Sequence, residues 1–442
     1  MRNFPIQTGL TIATLGVLIA FVNPPNAAQF HSLTNFTPEL TPLSPMARHV
    51  DPVAPAPLRI PTIGKKTEIA EPLLDDREGV MDAFYGALRG PGGITRIVHY
   101  GDSPTTADLI TGDIRSILQE RFGDAGHGFI LPAKPWAWYQ HAGVRVAGAG
   151  WQMVPASHFE ARDGLFGLGG VSLTGGASAT SKIIFEKAGY TRFEVWFLRQ
   201  PEGGAFTLSA GGTVLGRVET SGESKIADFA AFTTSGAADE VELRVASGHV
   251  RVFGITAENA GPGVVYDSLG LNGASITVLS RMFNQGHWTA ELQHRHPDLV
   301  IINYGTNEAD FADFVDKQYE KELREVIRRV QAALPETSIL IMSPMDRGKK
   351  NAAGEIATME TIPRIVAMQR RVAKETGCGF FDTFRAMGGT GAMARWYAAQ
   401  PRLVSADFIH PYPAGGKIIA STFTREIISG LERYQMRKEI AR

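Results

Sequence analysis

Residues Leu299 to Ile302 are apolar without a break and lead into Asn303-Tyr304-Gly305. A strand of this kind has no solvent face. It has to be covered on both sides, as strands are in a parallel sheet between two layers of helix. Comparable runs occur at Ile94–His99, Ser338–Ser343 and Gly379–Asp382. Helical patterning separates them. Between Thr105 and Phe122, apolar residues fall at Leu109, Ile110, Ile114, Ile117, Leu118 and Phe122, close to the period of an α-helix. Further helices are predicted at Arg77–Leu88, Asp316–Leu334, Ile362–Lys374 and Ala414–Arg437. This alternation predicts a doubly wound α/β sheet, whose site residues gather where strands end.

The rhythm breaks between residues 151 and 262. Helical periodicity is lost, and alternating segments appear at Arg192–Arg199, Val241–Val245 and Val250–Ile255, punctuated by Gly- and Ser-rich turns. Short strands at regular spacing predict an antiparallel β-sandwich inserted in the α/β domain. With 442 residues, the chain is long enough for both.

The N-terminus predicts a destination. Arg2 precedes an apolar run from Gly9 to Val22, and small residues follow at Ala27 and Ala28. Residues 1–28 therefore read as a secretory signal, or as an uncleaved membrane anchor. Residues 29–75, rich in proline, read as an extended linker. An exported protein on a tether, in the periplasm or cell envelope, fits both. The domain division expected is then 76–150 and 263–442 for the α/β domain, with 151–262 as the insertion. A formal net charge of −1 argues against a nucleic-acid partner. Cys378 stands alone in the sequence, so an intrachain disulfide is excluded, and it reads as a small buried hydrophobe.

The chemistry is concentrated in a few places. The stretch HYGDSPTTAD, residues 99–108, puts Ser103 at a sharp exit from a strand and follows it with Pro104. Serine is a weak nucleophile until a base takes its proton. His410, in Asp407-Phe408-Ile409-His410 just before the last helix, is the candidate base. Asp407, three residues earlier, is placed to hold the imidazole in the right tautomer. The Ser103 N–H, the Gly273 N–H and the Asn307 amide are candidate donors to a developing oxyanion. Gly270 is close enough in sequence to take the place of Gly273. In an α/β-hydrolase elbow, the oxyanion hole uses the N–H of the residue after the nucleophile. Pro104 has none, so a hole built on the serine's own N–H is expected. Proline also suits the first position of a helix, whose N-terminus would favour negative charge.

GlyAspSer, a later glycine, GlyThrAsnGlu and AspPheIleHis, in that order, resemble the conserved blocks of the SGNH (GDSL-type) hydrolases. The resemblance spans residues 76–150 and 263–435. It implies a flavodoxin-like three-layer α/β/α fold. It also implies family roles for Ser103, Gly273, Asn307 and His410, with Asp407 as third triad member. GlyAspSer-x-x-x-AlaAsp, ArgPheGlyAspAlaGlyHisGlyPhe and MetGlyGlyThrGlyAlaMetAlaArgTrp are similar to the branch containing bacterial peptidoglycan O-acetylesterases. That branch carries an inserted β-domain resembling a family 35 carbohydrate-binding module, matching 151–262 in position. The implied substrate is an O-acetylated glycan. Pro104, where histidine is frequent, and Glu308, where many relatives outside the branch have Asp, depart from the pattern without removing a triad or hole member.

Other features carry less. His294-Arg295-His296 lacks a companion set of metal ligands and reads as a helix end, so neither metal nor cofactor is expected. Trp136, Trp138 and Tyr139 read equally as a sugar-stacking loop and as a hydrophobic lid or core patch. Asp346–Lys350 reads as a solvated loop. Three functions stay open at this level: an exported esterase removing O-acetyl groups, an O-acetyltransferase using the same triad, and a non-catalytic glycan-binding protein.

Overall fold

The structure is a computed structural model and describes residues 72–90, 92–157, 163–187 and 189–441. The expected leader or anchor and nearly all of the expected linker lie outside these residues.

Six strands form the central sheet, in the spatial order Leu74–Asp75, Gly379–Phe381, Ser338–Met342, Leu299–Asn303, Ile94–Gly101, Gly263–Gly270. The last five pair in parallel, and Leu74–Asp75 closes the edge antiparallel to Gly379–Phe381. Numbered by their appearance in the chain, the parallel strands run 2-1-3-4-5, the flavodoxin-like order. The linker expected to reach residue 75 thus ends earlier, because Leu74 and Asp75 pair with Phe381 and Phe380.

Side-chain alternation sends the two faces of the sheet to two helix layers. Ile97, Val264, Tyr266, Ile301, Leu340, Met342 and Phe381 join a buried cluster with Phe84, Ile114, Leu118, Ile419, Phe423 and Ile427. These come from the helices Asp82–Arg89, Thr111–Phe122 and Pro413–Ile440. In the second layer the helix Tyr319–Ala333 packs against both Gln285–Arg295 and Thr361–Glu375.

The helix predicted from Thr105 is two. Ser103–Thr106 is one turn, and the long helix starts only at Thr111. Asp108 causes the break. It adopts φ 54°, and its carboxylate accepts Thr111 Oγ1 at 2.6 Å, Ala142 N–H at 2.8 Å and Arg115 Nη2 at 2.6 Å. Burial works against that charge, but Arg115 above all holds the Asp108 carboxyl well below the usual range.

The antiparallel region is a nine-stranded set in which Val171–Phe185 and Val250–Glu258 are central. Its path ends, Thr213–Glu219 and Ile226–Ala238, lie side by side, so the sheet rolls around Phe193, Val195, Phe206, Leu208, Leu243 and Val252, all buried. It begins before residue 151. Gly126–Ile130 pairs with Val250–Glu258, and Val144–Pro155 with Val171–Phe185.

Candidate active site

The sheet register brings the candidate residues together. Gly101 is level with Gly270 on one neighbouring strand and with Asn303 on the other. Ser103, Gly273 and Asn307 follow these strand ends by two, three and four residues. They therefore share one edge of the sheet, at the switch point where open α/β sheets place their ligands.

Asp102 is the N-cap of the short helix and Ser103 its first residue, with Pro104 second and buried. Ser103 is thus one place further into the helix than a cap. With only one turn behind it, the expected helix-dipole contribution is small. Ser103 Oγ lies 2.7 Å from His410 Nε2, and His410 Nδ1 lies 2.6 Å from Asp407 Oδ2.

The local chain makes this arrangement. Phe408 adopts φ 60°, which folds the backbone so that Asp407 and His410 face one another. Asp407 Oδ1 accepts the N–H groups of Ile409 at 2.9 Å and His410 at 3.1 Å, and the Ser405 hydroxyl. Against the cost of burial, the His410 and Ser405 bonds and these two N–H groups hold the Asp407 carboxyl well below the carboxylate range. An ionised Asp407 can only accept, so His410 Nδ1 carries the proton and Nε2 is free to accept from Ser103. The Asp407 hydrogen bond, and then its charge, raise the His410 pKa, while burial and Arg347 lower it.

Among the described residues, the backbone N–H groups of Ser103 and Gly273 have no backbone acceptor. Gly273 has φ 66°, and a Cβ there would meet open space. A Cβ on Gly270 would collide with the backbone of Thr105 and Thr106. Gly270 is thus a packing glycine that lets the serine helix lie on the strand, and Gly273 is the one in the loop. Asn307 Nδ2 donates to Ala274 O at 2.8 Å, which seats the amide against the Gly273 loop and leaves its second N–H.

Two supporting groups were not identified from sequence. Glu308 is fully buried and accepts Ile276 N–H at 2.6 Å and Gly305 N–H at 3.1 Å, clamping the glycine loop to the asparagine loop. Burial pushes its carboxyl up to about 7. Arg347, expected on a solvated loop, donates to Thr306 O and Asp310 Oδ2, each at 2.6 Å, while the next N–H, Gly348, donates to Phe408 O at 3.0 Å. This segment therefore stitches the asparagine loop to the histidine loop. Its neighbour Asp346 is buried, accepting Met393 N–H at 2.7 Å and Thr358 Oγ1 at 3.1 Å. Only Lys349 and Lys350 are exposed, on a small hairpin. Cys378 is buried, and its thiol is pushed up to about 11 by burial. His296 ends its helix in a left-handed conformation.

The sequence model of the GDSL-like lipase/acylhydrolase family matches residues 234–418. No curated protein sequence matches the chain significantly. Among solved structures, a peptidoglycan O-acetylesterase is 24% identical, with a TM-score of 0.68, covering 82% of this chain and 99% of its own. That likeness is one of fold. An acetyl xylan esterase (18% identical, TM-score 0.28, covering 37% of this chain and 80% of its own) and a salicylyl-acyltransferase from a tetracycline biosynthetic pathway (13%, 0.30, 66% and 98%) are more remote. Residues 234–418 are thus a GDSL-like lipase/acylhydrolase domain, and the chain shares its α/β/α fold with the peptidoglycan O-acetylesterase.

Proposed function

We propose that the protein is an exported esterase that removes O-acetyl groups from peptidoglycan or a related envelope glycan, with Ser103, His410 and Asp407 as a triad. The observation that carries this reading is the continuous Asp407–His410–Ser103 relay on an open surface. The His410 side chain is 35% exposed and that of Asp407 45%. An open nucleophile suits a small ester standing out from a polymer, and it gives water access to the acyl-enzyme.

His410 Nε2 takes the Ser103 proton as Oγ attacks the acetyl carbonyl carbon. The oxyanion that forms is met by the N–H groups of Ser103 and Gly273 and the second N–H of Asn307. Collapse breaks the bond to the sugar oxygen, which leaves with the proton from His410. Water, deprotonated by His410, then attacks acetyl-Ser103, and collapse breaks the acyl–Oγ bond, releasing acetate as His410 returns the proton to Ser103 Oγ. Arg2 with the apolar run Gly9–Val22 supports export.

The test compares the full chain with Ser103→Ala on O-acetylated peptidoglycan, with chitooligosaccharide plus an acetyl donor in parallel. Acetate release by the wild type that drops by about 10⁴-fold or more in the variant is expected. Ser103-dependent acetylation of the sugar with little free acetate would reassign the protein as a transferase.

A further inference from the structure

We propose that the indole of Trp138 is a stacking platform for a pyranose ring of the glycan whose acetyl ester reaches Ser103. This rests on the glycan reading above. The aromatic loop divides in two. Tyr139 is core, 5% exposed, its hydroxyl accepting Leu131 N–H at 3.0 Å. Trp138 is turned outward and 48% exposed.

A lone exposed aromatic needs no explanation, but this one is held in place. Its Nε1–H donates to Asn272 Oδ1 at 3.1 Å, and Asn272 immediately precedes Gly273. Two residues on, Gln140 N–H donates to Thr106 O at 3.2 Å, at the end of the helical turn that begins with Ser103. The loop is therefore tied to two of the three segments that carry the candidate oxyanion donors, those of Ser103 and Gly273. The tether uses the polar edge of the indole, so the part of the 48%-exposed side chain that is left to be recognised is apolar. Residues 135–140, Pro-Trp-Ala-Trp-Tyr-Gln, carry no charge, and the exposed Lys134 lies four residues from Trp138, so the indole itself offers an aromatic and not an ionic contact. The C–H face of a sugar ring fits. A rigid aromatic supplies such contact area with little loss of conformational entropy.

The experiment uses the full chain with Trp138→Ala and Trp138→Phe, on O-acetylated peptidoglycan and on 4-nitrophenyl acetate. Trp138→Ala should lower kcat/KM on the glycan by roughly tenfold or more, mainly through KM. It should leave the small ester within about twofold, and Trp138→Phe should recover most of the loss. An unchanged glycan rate, or an equal loss on both substrates, overturns the platform. A wild type that hydrolyses the small ester but releases no acetate from peptidoglycan overturns the glycan reading instead. In that case titration with chitotetraose still decides the platform. Movement of the Trp138 indole N–H resonance supports it, and a stationary resonance removes it.

Discussion

At the scale of single residues, the site is set by what surrounds His410. In the proposed triad the neutral ring is the base, so activity is expected to appear as pH rises through the His410 pKa. Asp407 raises that pKa and Arg347 lowers it. Asp407→Asn removes the raising influence, so the acid limb of kcat/KM should move to lower pH. The rate should also fall by about 10⁴-fold, because Asn can stabilise the wrong tautomer. Arg347→Met removes a positive charge, so the acid limb should move to higher pH. It also loses the bonds to Thr306 O and Asp310. Opposite shifts in the pH profile for one small acetyl ester are the expected outcome, and shifts of the same sign would mean the loops have moved. The members of this constellation were legible because each is a chemically distinctive side chain in a short motif. Arg347 and Glu308 were not. They act largely on backbone atoms, Thr306 O for one (with the Asp310 carboxylate) and Ile276 and Gly305 N–H for the other, and no residue pattern records such partners.

At the scale of elements, legibility followed apolar continuity. Ile94–Gly101 and Leu299–Asn303 stand out as strands, whereas Gly263–Gly270, which carries Asp267 and Ser268, is not among the segments the apolar runs pick out. Those polar residues are tolerated because Asp267 is paired with Arg295 and Ser268 Oγ bonds Thr105 O at 3.0 Å, contacts made across the fold. The helix break at Asp108 is likewise held in part by a distant group, the Ala142 N–H, thirty-four residues away. The position of Gly263–Gly270 separates the two glycines. Gly270→Ala presses a methyl into the backbone of the serine helix. It should cost roughly 1–3 kcal/mol of stability, and by displacing Ser103 it should lower kcat/KM about tenfold to a hundredfold. Gly273→Ala meets only open space and pays for a left-handed φ with roughly 1–2 kcal/mol. Denaturant titrations and kinetics on the two variants check the pair. A Gly270→Ala protein with unaltered kinetics would show that the serine helix has room to shift.

At the scale of the whole molecule, the α/β body and the rolled antiparallel sheet are joined through one buried charge cluster. Arg295 is 4% exposed and holds Asp267 of the central sheet, Nε to Oδ2 at 2.6 Å, and Glu258 of the antiparallel sheet, Nη1 to Oε1 at 2.5 Å. Asp267 also accepts Phe129 N–H at 2.8 Å, and Arg96 pairs with Glu258 at 2.8 Å. The insertion therefore starts at Gly126, because its first strand is held from both sides, a long-range condition that local patterning at 126–150 does not express. Arg295→Met keeps most of the volume but leaves buried carboxylates short of a partner, so it should cost about 3–5 kcal/mol at neutral pH. The pH dependence separates charge from packing. Burial opposes the Glu258 charge, but Arg295 first and then Arg96 hold its carboxyl down at about 2. Its stabilising contribution is full above the unfolded value near 4.5 and is lost as pH falls through 2. Without Arg295 the carboxyl is shifted upward and readily protonated, which relieves the variant in acid. The stability difference between wild type and Arg295→Met, measured by chemical denaturation, should be large at pH 7 and clearly smaller near pH 3. A difference that stays constant across that range would mean that Arg295 joins the two parts by packing alone.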